Sequence, residues 1–291
     1  MENSLVLSHL PRALAFNKAL CFLRELDEPP SSVEIARALC SKNKDARSVW
    51  DAIETANRQV AQTLKSMAKR QIHAVDYWSI HYPRSLRELE EPPWVLYFIG
   101  EMPTPVPTLA IVGTRKPNTY GRELLAGFIP NIKIRPLQIV SGLAYGIDAL
   151  AHFHACESQI PNFAIMGCGL DMMYPASHAS LATRILESKG GLLSEYPPGT
   201  EPMAYHFPRR NRIISGLADA VWIVQGTAKS GTVHTLDHAL AQSKQVLATP
   251  GDVFSELAEL PNKLLYDGAL IVLSPDDIDL VLHRRRAILT H

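Results

Sequence analysis

The stretch His206–Gly216 reads HFPRRNRIISG, with arginines at 209, 210 and 212 and an asparagine at 211 directly before an Ile-Ile pair. An ordinary solvated face would mix in carboxylates, and this one has none. Guanidinium groups are planar forks that grip phosphate or carboxylate oxygens in pairs. From Tyr205 to Thr232 the cations Arg209, Arg210, Arg212 and Lys229 stand against a single acid, Asp219. If they share one edge with Arg115, they form a local cationic groove, which is the footprint of a phosphate backbone. Tyr205, His206 and Phe207 lie beside it and can offer ring faces to bases. The competing reading is that some of these arginines pair with buried carboxylates or cap helices. For Arg212, which leads straight into Ile213, the two readings are evenly matched.

Other motifs carry the same chemistry in weaker form. Gly113-Thr114-Arg115 ends an apolar run, and Tyr120-Gly121 precedes a helix. A glycine lets backbone approach a ligand, and a helix start offers N–H groups to an anion. Ser141 and Gly142 of SGLAYGID end the next run and can present a hydroxyl and an N–H. Asp148 of that motif is expected as a helix-dipole partner rather than a catalyst. Lys229-Ser230-Gly231-Thr232 resembles half a phosphate-binding loop, with small residues at a helix start and a cation at its entrance. Cys168, in the Gly-Cys-Gly turn, has no neighbouring base to activate it. The pairs His152/His154 and His234/His238 lack a third ligand, so no metal is expected.

The elements that must position these groups follow from periodicity. Short apolar runs recur at Leu109–Val112, Leu137–Gly142, Phe163–Gly167, Leu192–Glu195, Ala220–Val224, Gln245–Gly251 and Ala269–Leu273. Helix-like segments separate several of them, which predicts a parallel sheet covered on both faces. Such sheets bind ligands at the carboxyl ends of their strands, where nearly every motif falls. Residues 1–72 read as a small all-α domain. It has a helix near Leu14–Leu26, a capping box at Ser31–Glu34 and an amphipathic helix from Ala46 to Met67 that uses Val49, Trp50, Ile53, Val60, Leu64 and Met67. A proline-rich connector encloses a strand-like WVLYFI, and residues 73–291 complete the second domain.

The chain has 291 residues, 46% of them apolar, and a formal net charge of zero. That supports a folded core and denies any global steering of nucleic acid, so binding must rest on local charge. No apolar run reaches the ~18 residues of a membrane span. The N-terminus lacks a signal-peptide pattern, and the four cysteines form no C-x-x-C pair. A cytoplasmic protein is expected.

Taken in order, VGTRKPNTYG, SGLAYGIDALAH, GCGLDMMYP, SEYPPGTEP, FPRRNRIISGL, KSGT and ATPGDV resemble the DNA-processing protein A (DprA/Smf) family from Tyr82 to Ala269. The resemblance implies an extended Rossmann-like α/β domain with a mostly parallel sheet behind a helical N-terminal domain. It implies a non-catalytic, cofactor-free homodimer that binds single-stranded DNA, protects strands taken up in natural transformation and helps load the RecA recombinase. The phosphate-holding positions it implies are Arg115, Ser141, Gly142, Arg209, Arg210, Asn211, Lys229, Ser230 and Gly231. The chain departs from the family pattern at Tyr145 (usually Arg), Gln225 (usually Glu), His178 (usually Asn), Ser243-Lys244 (usually Gly-Arg) and Leu260-Pro261-Asn262 (usually Gly-x-Asn). It closes on HRRRAILTH, so the C-terminal winged helix of many members is not expected. The alternative is a nucleoside-monophosphate phosphoribohydrolase on a similar sheet. That family needs P-G-G-x-G-T and a glutamate, where this chain has AKSGTVHTLDHAL.

Overall fold

The computed structural model describes residues 2–10, 23–40 and 46–289, which fall into two compact units. One comprises Met1–Ile99 with Cys168–Met172 and Ser194–Pro202; the other holds Gly100–Gly167, Met173–Leu193 and Met203–His291.

In the first unit the capping box forms as expected. The Ser31 N–H donates to Glu34 Oε2 at 2.8 Å and the Glu34 N–H to Ser31 Oγ at 3.3 Å, starting helix Ser32–Cys40. Helix Ala46–Arg70 buries Val49, Ile53, Ala56, Val60 and Thr63. Trp50 was expected on that stripe but is 40% exposed, because it lies one residue, about 100° of helix, away from it. The helix expected near Leu14–Leu26 falls largely outside the described residues.

Strands β1 (His73–Asp76) and β2 (Val95–Gly100) pair antiparallel, with His73 opposite Phe98. The sequence gives no apolar run for β1. Hydrogen bonds tie this hairpin to the first helix, Glu2–His9. Ser4 Oγ donates to Asp76 Oδ2 at 2.9 Å, and Ser8 shares a 2.7 Å bond with the Tyr97 hydroxyl.

The second unit is built on β3 (Thr108–Val112), β4 (Gln138–Ser141), β5 (Asn162–Met166), β6 (Gly191–Ser194), β7 (Ala220–Ile223), β8 (Gln245–Ala248) and β9 (Leu270–Ile271). Their order is β6-β5-β4-β3-β7-β8-β9. The pairs β3–β4, β4–β5, β3–β7, β7–β8 and β8–β9 are parallel. Every residue of β3 to β7 is buried, as a sheet covered on both faces requires. The run Ala269–Leu273 gives only the two exposed residues of β9.

Crossover helices Thr119–Phe128 and Ile147–Glu157 pack a core of Leu109, Ile111, Leu125, Ile139, Ile147 and Trp222. Each such side chain contributes about 1.5–3 kcal/mol by leaving water. The Trp222 indole N–H is satisfied by Thr249 Oγ1 at 2.9 Å. The chain winds outward from β3 through β4, β5 and β6, then returns to place β7 on the other side of β3. The β3/β7 edge is therefore the topological switch point, where a parallel sheet opens a crevice at its carboxyl ends. Among the described residues no helix is long and apolar enough to cross a membrane.

Candidate nucleic-acid interface

Three loops meet above the carboxyl ends of β3, β4 and β7, and main-chain groups lock them together. The Thr114 N–H donates to the Gln225 carbonyl at 2.7 Å, and the Ile147 N–H donates to the Thr114 carbonyl at 3.1 Å. Gly146, at φ +79°, lies so close that a Cβ there would stand 2.6 Å from the Arg115 carbonyl carbon. Arg115 therefore sits on the same rim as the β4 and β7 loops, and it is exposed. Asn118 caps the following helix by accepting the Gly121 N–H at 3.1 Å, and the Gln225 side-chain amide donates to the same oxygen at 2.7 Å. A cavity of about 560 Å³ opens at the switch point, walled by Asn118, Tyr120, Gln225, Thr249 and Asp252 among others. No cation lines it.

Beyond Gln225, the loop carrying Lys229, Ser230 and Gly231 enters helix Thr232–Ala241. No side chain caps this helix start. The Ser230 hydroxyl is buried and has no hydrogen-bond partner. Lys229 is exposed, and Gly231 faces open space, with no atom within 4 Å of a Cβ built there. An unsatisfied hydroxyl and an ammonium group at a helix start that no side chain caps can make an anion cradle.

HFPRRNRIISGL forms a helix, His206–Leu217. Its period buries His206, Arg210, Ile213, Ile214 and Leu217, with Arg212 beside them. Arg210 is only 4% exposed. Its Nη1 donates to the Gly142 carbonyl at 2.6 Å and to the Ile165 carbonyl, and its Nε donates to Asn211 Oδ1 at 3.1 Å. Arg212, 5% exposed, donates to the Arg209 carbonyl at 3.3 Å. Arg209 and Asn211 are half-buried.

Ser141 and Gly142 also lie behind the rim. The Ser141 hydroxyl donates to the Ile111 carbonyl at 2.6 Å, and the Gly142 N–H to Asp148 Oδ2 at 3.1 Å. Asp148, expected at a helix start, sits there in the first turn and holds the β4 loop. Burial pushes its carboxyl up; the Arg210 guanidinium, the N–H groups of Ala144 and Gly142, and Arg115 partly offset this. The structure thus brings Arg115 and the Lys229–Gly231 loop to the surface and sets Ser141, Gly142 and Arg210 as their support. The signal for Arg210 was present: positions 206, 210, 213 and 217 follow a helical period.

His152 is fully buried, with its Nδ1 2.8 Å from Asn162 Oδ1 and its Nε2 unpartnered. Burial drives its pKa from 6.5 down to about 4, against the pull of Asn162 and with help from Arg210 and His178. The native ring is neutral, so its stabilising contribution is complete above the unfolded pKa and is lost as pH falls through that value toward 4. Urea titrations between pH 7 and 4 should show about 3 kcal/mol of stability lost to this group. His152→Gln should flatten that limb, and an unchanged slope would refute the assignment. Among the described residues no group of three or more His, Cys, Asp or Glu is placed to hold a metal ion. Cys168 is buried.

The parallel sheet, its helices and its switch-point crevice define a Rossmann-like α/β protein, a class whose members bind their ligands at the carboxyl ends of the strands. The family model for DNA recombination-mediator protein A matches residues 73–282, and the chain belongs to that family. It is 35% identical over 235 residues to the DNA processing protein DprA of Bacillus subtilis, covering 80% of this chain and 79% of that one. It is 38% identical to protein Smf of Escherichia coli over 71% of this chain and 55% of the relative. The X-ray structure of Streptococcus pneumoniae DNA processing protein A superposes with a TM-score of 0.79 at 28% identity, covering 96% of both chains. The Helicobacter pylori DNA processing protein A, solved for its single-stranded DNA binding mode, gives 0.65 at 27% identity over 74% of this chain and 96% of that one.

Proposed function

We propose that this protein is a non-catalytic binder of single-stranded DNA that protects strands entering by natural transformation and helps load the RecA recombinase, working as a cytoplasmic homodimer. The observation that carries the reading is the interlock of the β3, β4 and β7 loops. Its hydrogen bonds join the loop that bears Arg115 to the strand end from which the Lys229–Gly231 loop departs, in a protein with no net charge. The family membership supports it, as does the likeness to a protein described for binding single strands. For assembly, Tyr266, Leu270, Ile271 and Leu273 leave an exposed apolar edge around β9. Pairing there would supply by avidity the affinity one small rim lacks.

Fluorescence anisotropy with a labelled oligonucleotide, repeated across salt concentrations, tests the reading. Log affinity should fall with log salt at about −0.7 per phosphate neutralised. Arg115→Ala and Lys229→Ala should each flatten that slope by roughly one contact. Mutant slopes equal to wild type, or equal affinity for duplex, would remove the rim from the function. Steady release of adenine from AMP would favour the phosphoribohydrolase reading instead.

A further inference from the structure

Three tyrosine rings on the loops after β4, after β5 and before helix His206–Leu217 stand partly in water. Tyr145, Tyr174 and Tyr205 are 50%, 48% and 47% exposed. Tyr145 precedes Gly146, the residue packed against the Arg115 peptide. Its ring is held from two sides. The hydroxyl shares a 2.9 Å hydrogen bond with Ser177 Oγ, and the ring meets His178 edge-on at 4.8 Å between centroids. His178 is itself anchored through Nδ1 to the Leu143 carbonyl at 2.9 Å. Tyr174, three residues before Ser177, packs on Phe207 at 5.2 Å. A large apolar ring held half in water, by partners that are themselves fixed, gains nothing from that exposure in the unbound protein.

We propose that Tyr145 is a base-stacking residue: its ring receives the face of an unpaired base whose flanking phosphate is held by Arg115, and Tyr174 continues the shelf for a neighbouring base. This rests on the single-strand reading above and adds to it a contact with the bases, alongside those with the backbone. The occupant is a base and not a further phosphate, because Tyr145 brings no charge and its hydroxyl is engaged with Ser177. Any base offers a π-face, so the contact favours single strands over duplex without choosing sequence. Pinning the ring in advance lowers the ordering cost of stacking.

The test compares wild type, Tyr145→Ala and Tyr145→Phe on an ordinary oligonucleotide and on an abasic strand of equal length. Tyr145→Ala should weaken binding to the ordinary strand roughly 5- to 100-fold, the range for losing one stacked base. Its salt slope should stay at the wild-type value, since no ionic contact is removed. Tyr145→Phe keeps the ring and should stay within about threefold of wild type, with the same slope. On the abasic strand, wild type and Tyr145→Ala should converge. A Tyr145→Ala protein that binds the ordinary strand like wild type sinks the inference and leaves the single-strand reading intact. So does a deficit that persists on the abasic strand, or a flattened slope. A wild type with no affinity for single strands overturns both.

Discussion

Arg210→Ala should cost the Rossmann-like unit about 3–5 kcal/mol, the usual penalty for removing one partner of a buried charge arrangement. The guanidinium sits beneath the rim with the carbonyls of Gly142 and Ile165 as acceptors. Asp148 lies across the same small gap, since a Cβ on Gly142 would stand 2.6 Å from Asp148 Oδ2 and 2.7 Å from the Arg210 guanidinium carbon. Alanine would remove a donor from both carbonyls and leave a buried carboxylate without its nearby cation. Burial already raises the Asp148 pKa, and Arg210 opposes that rise. Without the arginine the native pKa should climb further above its unfolded value. A carboxyl raised in the native state favours folding at low pH, and that contribution is lost as pH rises through the raised pKa. The deficit of Arg210→Ala should therefore be largest at neutral pH and shrink on acidification. Adding Asp148→Asn should recover part of it at neutral pH. Chemical denaturation of the variants across pH reads both effects. A pH-independent deficit, or no gain in the double variant, would show that the two charges are not coupled.

Gly146→Ala should be comparably severe, at about 3 kcal/mol or more, and should abolish most single-strand affinity even where the protein remains folded. The residue adopts φ +79° and ψ −124°, a conformation that L side chains avoid at a cost of order 1–3 kcal/mol. Its Cβ would also press on the Thr114 carbonyl oxygen and stand 2.7 Å from that of Arg115. Both neighbours are main chain, so no rotamer change relieves the clash. Relief requires the β3 loop to part from the start of helix Ile147–Glu157, which moves Arg115 off the rim. Gly231→Ala is the control, because open space surrounds that position; it should leave stability within about 0.5 kcal/mol of wild type. Melting curves and strand affinity for the two variants decide the matter. A well-folded Gly146→Ala protein that binds normally would mean the interlock does not position Arg115.

The parallel sheet was legible because its strands are buried on both faces and read as continuous apolar runs between turn residues. β1 was not, since HAVD carries too little apolar pattern and takes its place by pairing with β2. The capping box was legible because it is a local chemical pairing. On helix Ala46–Arg70 the inward positions Val49, Ile53 and Val60 were legible, but Trp50, Leu64 and Met67 were expected there and are not buried, and the small buried residues Ala56 and Thr63 were passed over for larger neighbours. For the site, the sequence singles out Arg115 and Lys229 but does not say which of several adjacent arginines face water. From sequence alone His206–Leu217 was assigned no secondary structure; Pro208 falls in the first helical turn, where proline is tolerated. Once the segment is a helix, Arg210 turns inward and its role becomes internal. Asn118 went unremarked because a cap is visible only when the helix start is known.

The loops above β3, β4 and β7 are fastened to one another by peptide groups and glycine α-carbons, not by the side chains that face outward. The scaffold and its ornament are thereby decoupled. Residues such as Tyr145, Lys229 and Gly231 can be exchanged during divergence without unseating the frame, whereas Gly146 cannot. On the proposed reading, swapping ring for cation at the lip would retune grip on a strand and leave the skeleton beneath unmoved.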